Sequence, residues 1–242
     1  MTTLIKIIIT SILSMSLFSC NFDISINPGV KGNGKVLTQK RSVNEPFTGI
    51  KASEGLDVYV TQSDKVNVVV EADENLQDLI ITEVDNGILK IHTKKNIGRS
   101  KAKKVTVSFK DITSIKSTSG SSVKGTNTVV ENDLILESSS GSDIKIDVNT
   151  HNLTCKTSSG SDIKVSGNTK SLSVESSSGS DFKGANLIAE SSQVKASSGA
   201  DITVNTLKDL TAKASSGADI KYLGDPEIIN KDSSSSGSVK KQ

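Results

Sequence analysis

The chain has 242 residues, of which 34% are hydrophobic and 3% aromatic, with no tryptophan, so its core must be thin and built from small aliphatic side chains. With 29 basic against 27 acidic residues, it lacks the excess of base that tracking nucleic-acid phosphates requires. The only arginines are Arg41 and Arg99 and the only histidines His92 and His151; this leaves little for guanidinium clamps or histidine-based acid–base and metal chemistry, and it argues against an enzyme or a bound cofactor.

Residues 1–20 read as a lipoprotein signal peptide. Lys6 supplies the positive start, and the apolar run from Ile7 to Phe18 is too short to cross a hydrocarbon core of ~30 Å. Leu17-Phe18-Ser19-Cys20 resembles a lipobox, which makes Cys20 the lipidated first residue of the mature chain. An ordinary signal peptide followed by a chance cysteine is the other reading. Each buried acyl CH₂ contributes ~0.8 kcal/mol, so several chains (palmitate among them) would hold the protein on a bilayer. The expected location is the bacterial cell envelope, at the outer membrane, facing the periplasm or the surface. Residues 21–42, with Pro28, Gly29, Gly32 and Gly34, read as a tether, or alternatively as a first irregular strand.

A β-domain is expected over 43–242, less regular over 43–114 and regular over 115–242. Phe47 to Val60 shows the offsets of a diverged coil: Asp57 two residues and Val58 three residues after Gly55, and Ile50 five before it. Val66–Val70 predicts a strand and Asp73–Leu79 a short helix. Ile80–Val84 and Ile88–His92 flank Asp85-Asn86-Gly87, the signature of a type I′ hairpin. Lys94 to Lys104 is a basic loop, read either as a solvated loop tip or as an anionic-partner site. Val105, Val107 and Phe109 alternate as a strand.

The regular part repeats every 20 residues or so, with Ser-Gly turns at Gly120, Gly141, Gly160, Gly179, Gly199, Gly217 and Gly237. Three residues after the glycine stand Val123, Ile144, Ile163, Phe182, Ile202 and Ile220; five before it stand Ile115, Leu136, Cys155, Val174, Val194 and Ala212. Apolar residues at odd offsets are a period of two, hence strands with one buried face. Strands recurring without crossover helices predict an all-β, right-handed parallel β-helix, or solenoid, in which like residues stack ~4.8 Å apart. Seven such turns make a rod on the order of 35 Å. Glycine supplies positive φ at the Ser-Gly turn; Asn149, Asn152, Asn168, Asn186 and Asn205 suggest the same device at the opposite turn. A disordered Ser/Gly/Lys-rich chain would lack these columns.

Outward, Asp143, Asp162, Asp181, Asp201 and Asp219 form one column, and Lys124, Lys145, Lys164, Lys183 and Lys221 the next, with Thr203 interrupting. Stacked aspartates could bind Ca²⁺ through their oxygens, or each could cap its own turn by accepting a backbone N–H. Lys116, Glu137, Lys156, Glu175, Lys195 and Lys213 form a third column that alternates over its first four members and so neutralises itself. Cys155 occupies an inward column and reads as a buried thiol, not a nucleophile. His151 lies beside the far turn with no catalytic partner in sequence.

The blocks FTGIKASEGLDVYV, VDNGILKIHT and repeated SSGSDIK, spread over Val43 to Gln242, resemble the bacterial lipoprotein family described as putative auto-transporter adhesins with a head GIN domain. The resemblance implies a β-superhelix whose GSG-type turns join two sheets, similar to pectate-lyase-like helices, and a role in adhesion without an established ligand or catalytic residue. The literal Gly-Ile-Asn tripeptide is absent, with only Gly125-Thr-Asn127 and Gly184-Ala-Asn186 nearby, so trimerisation is not implied. The expectation is a non-enzymatic, lipid-anchored envelope protein whose rigid surface binds a glycan or protein partner. The alternatives are a polysaccharide lyase or hydrolase on a pectate-lyase-like helix, and a purely structural or signalling envelope component.

Overall fold

The computed structural model describes residues 28–234 and 236–242; the expected signal peptide, Cys20 and residues 21–27 of the expected tether lie outside them. The strands in chain order are β1 (Val36–Arg41), β2 (Gly49–Ala52), β3 (Asp57–Gln62), β4 (Asn67–Asp73), β5 (Ile80–Asp85), β6 (Ile88–Thr93), β7 (Lys103–Phe109), β8 (Ser114–Ser117), β9 (Ser122–Ser139), β10 (Asp143–Ser158), β11 (Asp162–Ser176), β12 (Asp181–Ala196), β13 (Asp201–Ala214), β14 (Asp219–Leu223), β15 (Ile228–Ser233) and β16 (Ser238–Lys241). A 3₁₀ turn, Glu74–Leu79, stands where the short helix was expected. No helix among the described residues is long and apolar enough to cross a membrane.

From β9 onward each strand pairs in parallel with its equivalent one coil later: Asp143 with Asp162, then Asp181, Asp201 and Asp219. The result is a β-solenoid of about 7 turns with about 19 residues per turn. Like lands on like in the core as well. Val58, Val123, Ile144, Ile163, Phe182, Ile202 and Ile220 form one buried column, and Ile115, Leu136, Cys155, Val174, Val194 and Ala212 another. Each fully buried Val, Leu or Ile contributes roughly 1.5–3 kcal/mol, and every layer is covered by the next. Cys155 fits this column as a small apolar group, and burial pushes its thiol well above the usual range.

The Ser-Gly turns bend with both residues left-handed, for example Ser159 at φ 56° and Gly160 at 66°, the backbone of a type I′ turn. The turns also stack: the Gly141 N–H donates to the Ser159 carbonyl at 3.0 Å, Gly160 to Ser178 at 3.1 Å and Gly179 to Ser198 at 3.1 Å. Glu54 (φ 61°) and Gly55 (φ 70°) begin this ladder, and β2 and β3 pair in parallel with β8 and β9, so Phe47–Val60 is indeed a coil. Gly237 departs from the series. Ser236 is left-handed but Gly237 is not, and a Cβ there would sit 2.6 Å from the Ala214 backbone; close approach, not positive φ, requires glycine. The opposite bend also differs from expectation. Asn149, Asn152, Asn168, Asn186 and Asn205 all lack positive φ, because β10 to β13 run through the bend as continuous strands, with register shifts such as that between Lys145 and Asp147.

Behind each of the first four Ser-Gly turns lies a pair of buried hydroxyl residues. Ser138 and Ser142 Oγ atoms are 2.9 Å apart; Ser142 Oγ also accepts the Ser139 N–H at 3.1 Å and lies 2.7 Å from the Ser117 carbonyl. Ser117 and Ser121 repeat the pair at 2.8 Å. Farther along, Ala196/Ala200 and Ala214/Ala218 replace both members together. This is the pattern expected when a buried hydroxyl without its partner is costly but the apolar pair is not.

The N-terminal end is capped by antiparallel strands. β4 pairs β7 and β1 pairs β4, while β5 and β6 form the expected hairpin, with Asn86 at φ 51° and Gly87 at 75°. Space and sequence part company here: the β2–β3 coil lies between the β6–β7 layer and the β8–β9 coil. The tether reading of 21–42 is corrected over its described part. Val30 bridges to Ile97 and β1 is hydrogen-bonded into the sheet. Asp73 fixes this edge: its buried carboxylate accepts the N–H groups of Gly34 (2.7 Å), Lys101 (3.0 Å) and Ala102 (2.9 Å). Burial alone would raise its pKa, but the three donors and the Lys101 charge outweigh it and hold the carboxyl below its ordinary 3.8.

Two outcomes follow from these contacts. Ser142→Ala should cost about 1–3 kcal/mol, and Ser138→Ala/Ser142→Ala should cost less than the sum of the singles, in a denaturant double-mutant cycle. Because the folded-state pKa of Asp73 lies below the unfolded one, its contribution is present above the unfolded value and is lost as pH falls through the folded value. The melting temperature of wild type should therefore drop more steeply below about pH 4 than that of Asp73→Asn, which should already be less stable at neutral pH.

Candidate functional site

The outward columns follow the strand register. Asp143, Asp162, Asp181, Asp201 and Asp219 stand in line on successive coils, with Lys124, Lys145, Lys164 and Lys183 beside them and Thr203 and Lys221 beyond. Lys183 Nζ lies 2.9 Å from Asp162 and 3.1 Å from Asp181. The hydrogen bond to Asp162 is the main cause of its raised pKa, with Asp181 adding to it against partial burial. Exposed pairs of this kind contribute about 0–1 kcal/mol. Among the described residues no group of three or more His, Cys, Asp or Glu is placed to share a metal ion. The turn caps that aspartate was a candidate for are made by serine: the Oγ atoms of Ser121, Ser142, Ser161 and Ser180 accept the nearby backbone N–H at 3.1–3.2 Å.

Two shallow grooves cross the coils. The first, beside the Ser-Gly turns, has a volume of about 490 Å³ and lies between the Lys116/Glu137/Lys156/Glu175/Lys195 column and the outward serines Ser139, Ser158 and Ser177. Two of its charges pair directly, Lys116 with Glu137 at 2.9 Å.

The second groove, about 590 Å³, follows the opposite bend. Asn149 and Asn168 stack in register on one wall, between Val130 and Ile188. His151, Lys170 and Glu190 form the other wall, and Thr150 and Thr169 line the floor, their hydroxyls joined at 2.9 Å. Val130, Ile188 and Leu207 are 57%, 43% and 47% exposed at its rim. Among the described residues the side chains of Asn149, Asn168 and His151 have no hydrogen-bond partner within the chain, whereas Glu190 is engaged by Lys208 at 2.7 Å. At one end, the half-buried Glu131 accepts the Ile112 N–H at 2.8 Å; burial is the main cause of its raised pKa, with Asp111 adding to it and the N–H opposing. The groove therefore offers amide, imidazole and ammonium groups in two files along the solenoid axis.

Sequence reasoning took these asparagines for turn formers and His151 for an isolated residue. The signal was present: Asn149 and Asn168 stand one coil interval apart, each between two inward positions. The arginines lie elsewhere. Arg41 donates to the Gln77 carbonyl at 2.7 Å and to Gln77 Oε1 at 3.0 Å, and Arg99 sits on the exposed N-terminal loop, whose backbone bonds to Gly32. His92 pairs with Glu83 at 3.2 Å.

No curated protein matches the chain. Several solved structures share its fold. A putative adhesin from Bacteroides fragilis NCTC 9343 is 22% identical, with a TM-score of 0.82, over 88% of this chain and 100% of that one. A putative lipid binding protein from Parabacteroides distasonis ATCC 8503 is 23% identical, with a TM-score of 0.70, over 88% and 99%. A putative adhesin from Parabacteroides merdae ATCC 43184 is 17% identical, with a TM-score of 0.71, over 88% and 98%. Residues 46–226 match the family described as "Putative auto-transporter adhesin, head GIN domain", a span that takes in the coil at Phe47, the antiparallel cap strands β4 and β5 and all but the last of the stacked turns, and the chain belongs to that family.

Proposed function

We propose that this protein is a lipid-anchored component of the bacterial envelope that binds an extended glycan along the groove at the Asn149/Asn168 bend. In this reading Cys20 carries the anchor, residues 21–27 are the tether, and the solenoid with its cap is one domain. The observation that carries the proposal is the unpartnered Asn149–Asn168 file facing His151 and Lys170. Carboxamides donate and accept, which matches sugar hydroxyls. Two successive coils ~4.8 Å apart present the same groups to neighbouring units of an extended polymer, so individually weak contacts add up. No Phe, Tyr or Trp side chain lines the groove, which places recognition on hydrogen bonds rather than on stacking. The adhesin names of the family and of two fold relatives agree with a binding role. A lyase or hydrolase has less support, since the carboxylates of the aspartate column are distributed one per coil and Arg41 is occupied by Gln77. The lipid-binding name of the Parabacteroides distasonis relative suggests an apolar ligand, for which these grooves, shallow and open to solvent, are poorly made.

A glycan array probed with the purified mature chain should reveal a linear polymer ligand. Asn149→Ala/Asn168→Ala should weaken that binding about tenfold, at roughly 0.5–1.5 kcal/mol per hydrogen bond, while Asp143→Ala on the other face leaves it unchanged. Equal loss in both variants, or none in either, would overturn the groove assignment. Growth with labelled palmitate should tag the wild-type chain and not Cys20→Ala.

A further inference from the structure

We propose that the N-terminal corner of the solenoid is a second contact with the membrane, an electrostatic one that lays Lys31, Lys94, Lys95, Arg99 and Lys101 on an anionic bilayer surface. The inference rests on the reading of Cys20 as the anchor, and the described residues carry the rest.

The chain enters the described structure against the loop between β6 and β7. Val30 N–H donates to the Asn96 carbonyl at 2.8 Å, Gly98 N–H to the Val30 carbonyl at 3.1 Å and Gly32 N–H to the Arg99 carbonyl at 3.0 Å. A Cβ on Gly98 would lie 2.2 Å from the Pro28 carbonyl oxygen, so the two segments are in backbone contact. Cys20 precedes Pro28 by eight residues, a length that reaches at most about 29 Å when fully extended. The tether therefore delivers this corner to the membrane before any other part of the molecule.

The charge at the corner is unbalanced, unlike that of the columns. Lys31, Lys94, Lys95, Arg99 and Lys101 are exposed, and among the described residues none of them forms an ion pair. The neighbouring acids offset only part of this charge, the Lys101 ammonium acting on Asp73. Glu54 accepts the Thr93 N–H and hydroxyl at 2.5 and 2.8 Å, Asp73 holds its three N–H groups, and Glu74 and Glu71 pair with Lys35 and Lys104 at 3.0 and 3.5 Å. Lys94, Lys95 and Lys103 also line a hollow of about 540 Å³, where they outnumber its one carboxylate, Glu54. Cations beside a lipid anchor add to its hold on anionic membranes and respond to salt.

The test uses the mature chain carrying a fluorophore at Ser100→Cys, or at Asn230→Cys at the far end; native Cys155 is buried and stays unlabelled. Vesicles of phosphatidylcholine alone, or mixed with phosphatidylglycerol, carry a quencher at headgroup level. The expected result is several-fold stronger quenching at residue 100 on the phosphatidylglycerol vesicles, abolished by high salt and by Lys94→Gln/Lys95→Gln/Arg99→Gln, with no change at residue 230. Quenching that is equal on both vesicles, or indifferent to salt, overturns the proposal. Intact mass reports separately whether Cys20 is acylated. If it is not, the anchor reading fails, and salt-sensitive flotation on the phosphatidylglycerol vesicles still decides the basic corner.

Discussion

Parallel pairing in register, shifted at the far bend, is the constraint on which the rest of this molecule depends. Once Asp143 is hydrogen-bonded opposite Asp162, every other position in the coil is stacked on its own equivalent ~4.8 Å away. Each position must then be acceptable as a column. Aliphatic residues meet this by burial, hydroxyls by pairing as Ser138 does with Ser142, and charges by a neighbouring column of opposite sign, as Lys183 does between Asp162 and Asp181. Asn149 and Asn168 do none of these, which is why that column stands out as a surface for something else.

The same constraint creates two ends, and the chain treats them differently. At the N-terminal end the direction of pairing is reversed in β4 and β5, and a buried carboxylate, Asp73, ties in the incoming segment. Among the described residues the C-terminal coil is not covered by antiparallel strands. Lys231 occupies the inward column after Ala212, with its ammonium over the Tyr222 ring at 4.5 Å and bonded to its hydroxyl at 2.8 Å. Ile229, in register with Leu210, remains 40% exposed. An inward charge on a terminal coil is a known means of discouraging further strand addition.

The regular coils were legible because their hydrogen-bond register coincides with the sequence period; Ile144, Ile163 and Phe182 are aligned in the text before they are aligned in space. Asp85-Asn86-Gly87 and the offsets around Gly55 were legible for equally local reasons. Less could be read where distant partners decide. Val36–Arg41 has no apolar alternation, and it is a strand because β4 offers an antiparallel edge and Asp73 binds beside it. The role of Ser142 had no mark in the sequence because its partners, the Ser138 hydroxyl and the Ser117 carbonyl, are brought to it only by the wound coil. The Asn149 groove escaped notice because asparagine at a bend ordinarily suggests left-handed backbone, and the continuous ladder there removes that need.

The placement of the β2–β3 coil between the β6–β7 layer and the β8–β9 coil makes the two ends of the solenoid unequal in how they come apart. At the far end, each layer is held by a single preceding neighbour and can be released in sequence order. At the near end, the early coil is clasped by segments that lie after it in the chain, so opening there requires several non-adjacent stretches to separate together. Loss of structure is therefore expected to begin at the tip remote from Pro28 and to proceed inward, leaving the near end as the last part to dissolve. Change in length has the same direction: whole coils can be added or removed among β10 to β13 without disturbing the pairing that encloses the first.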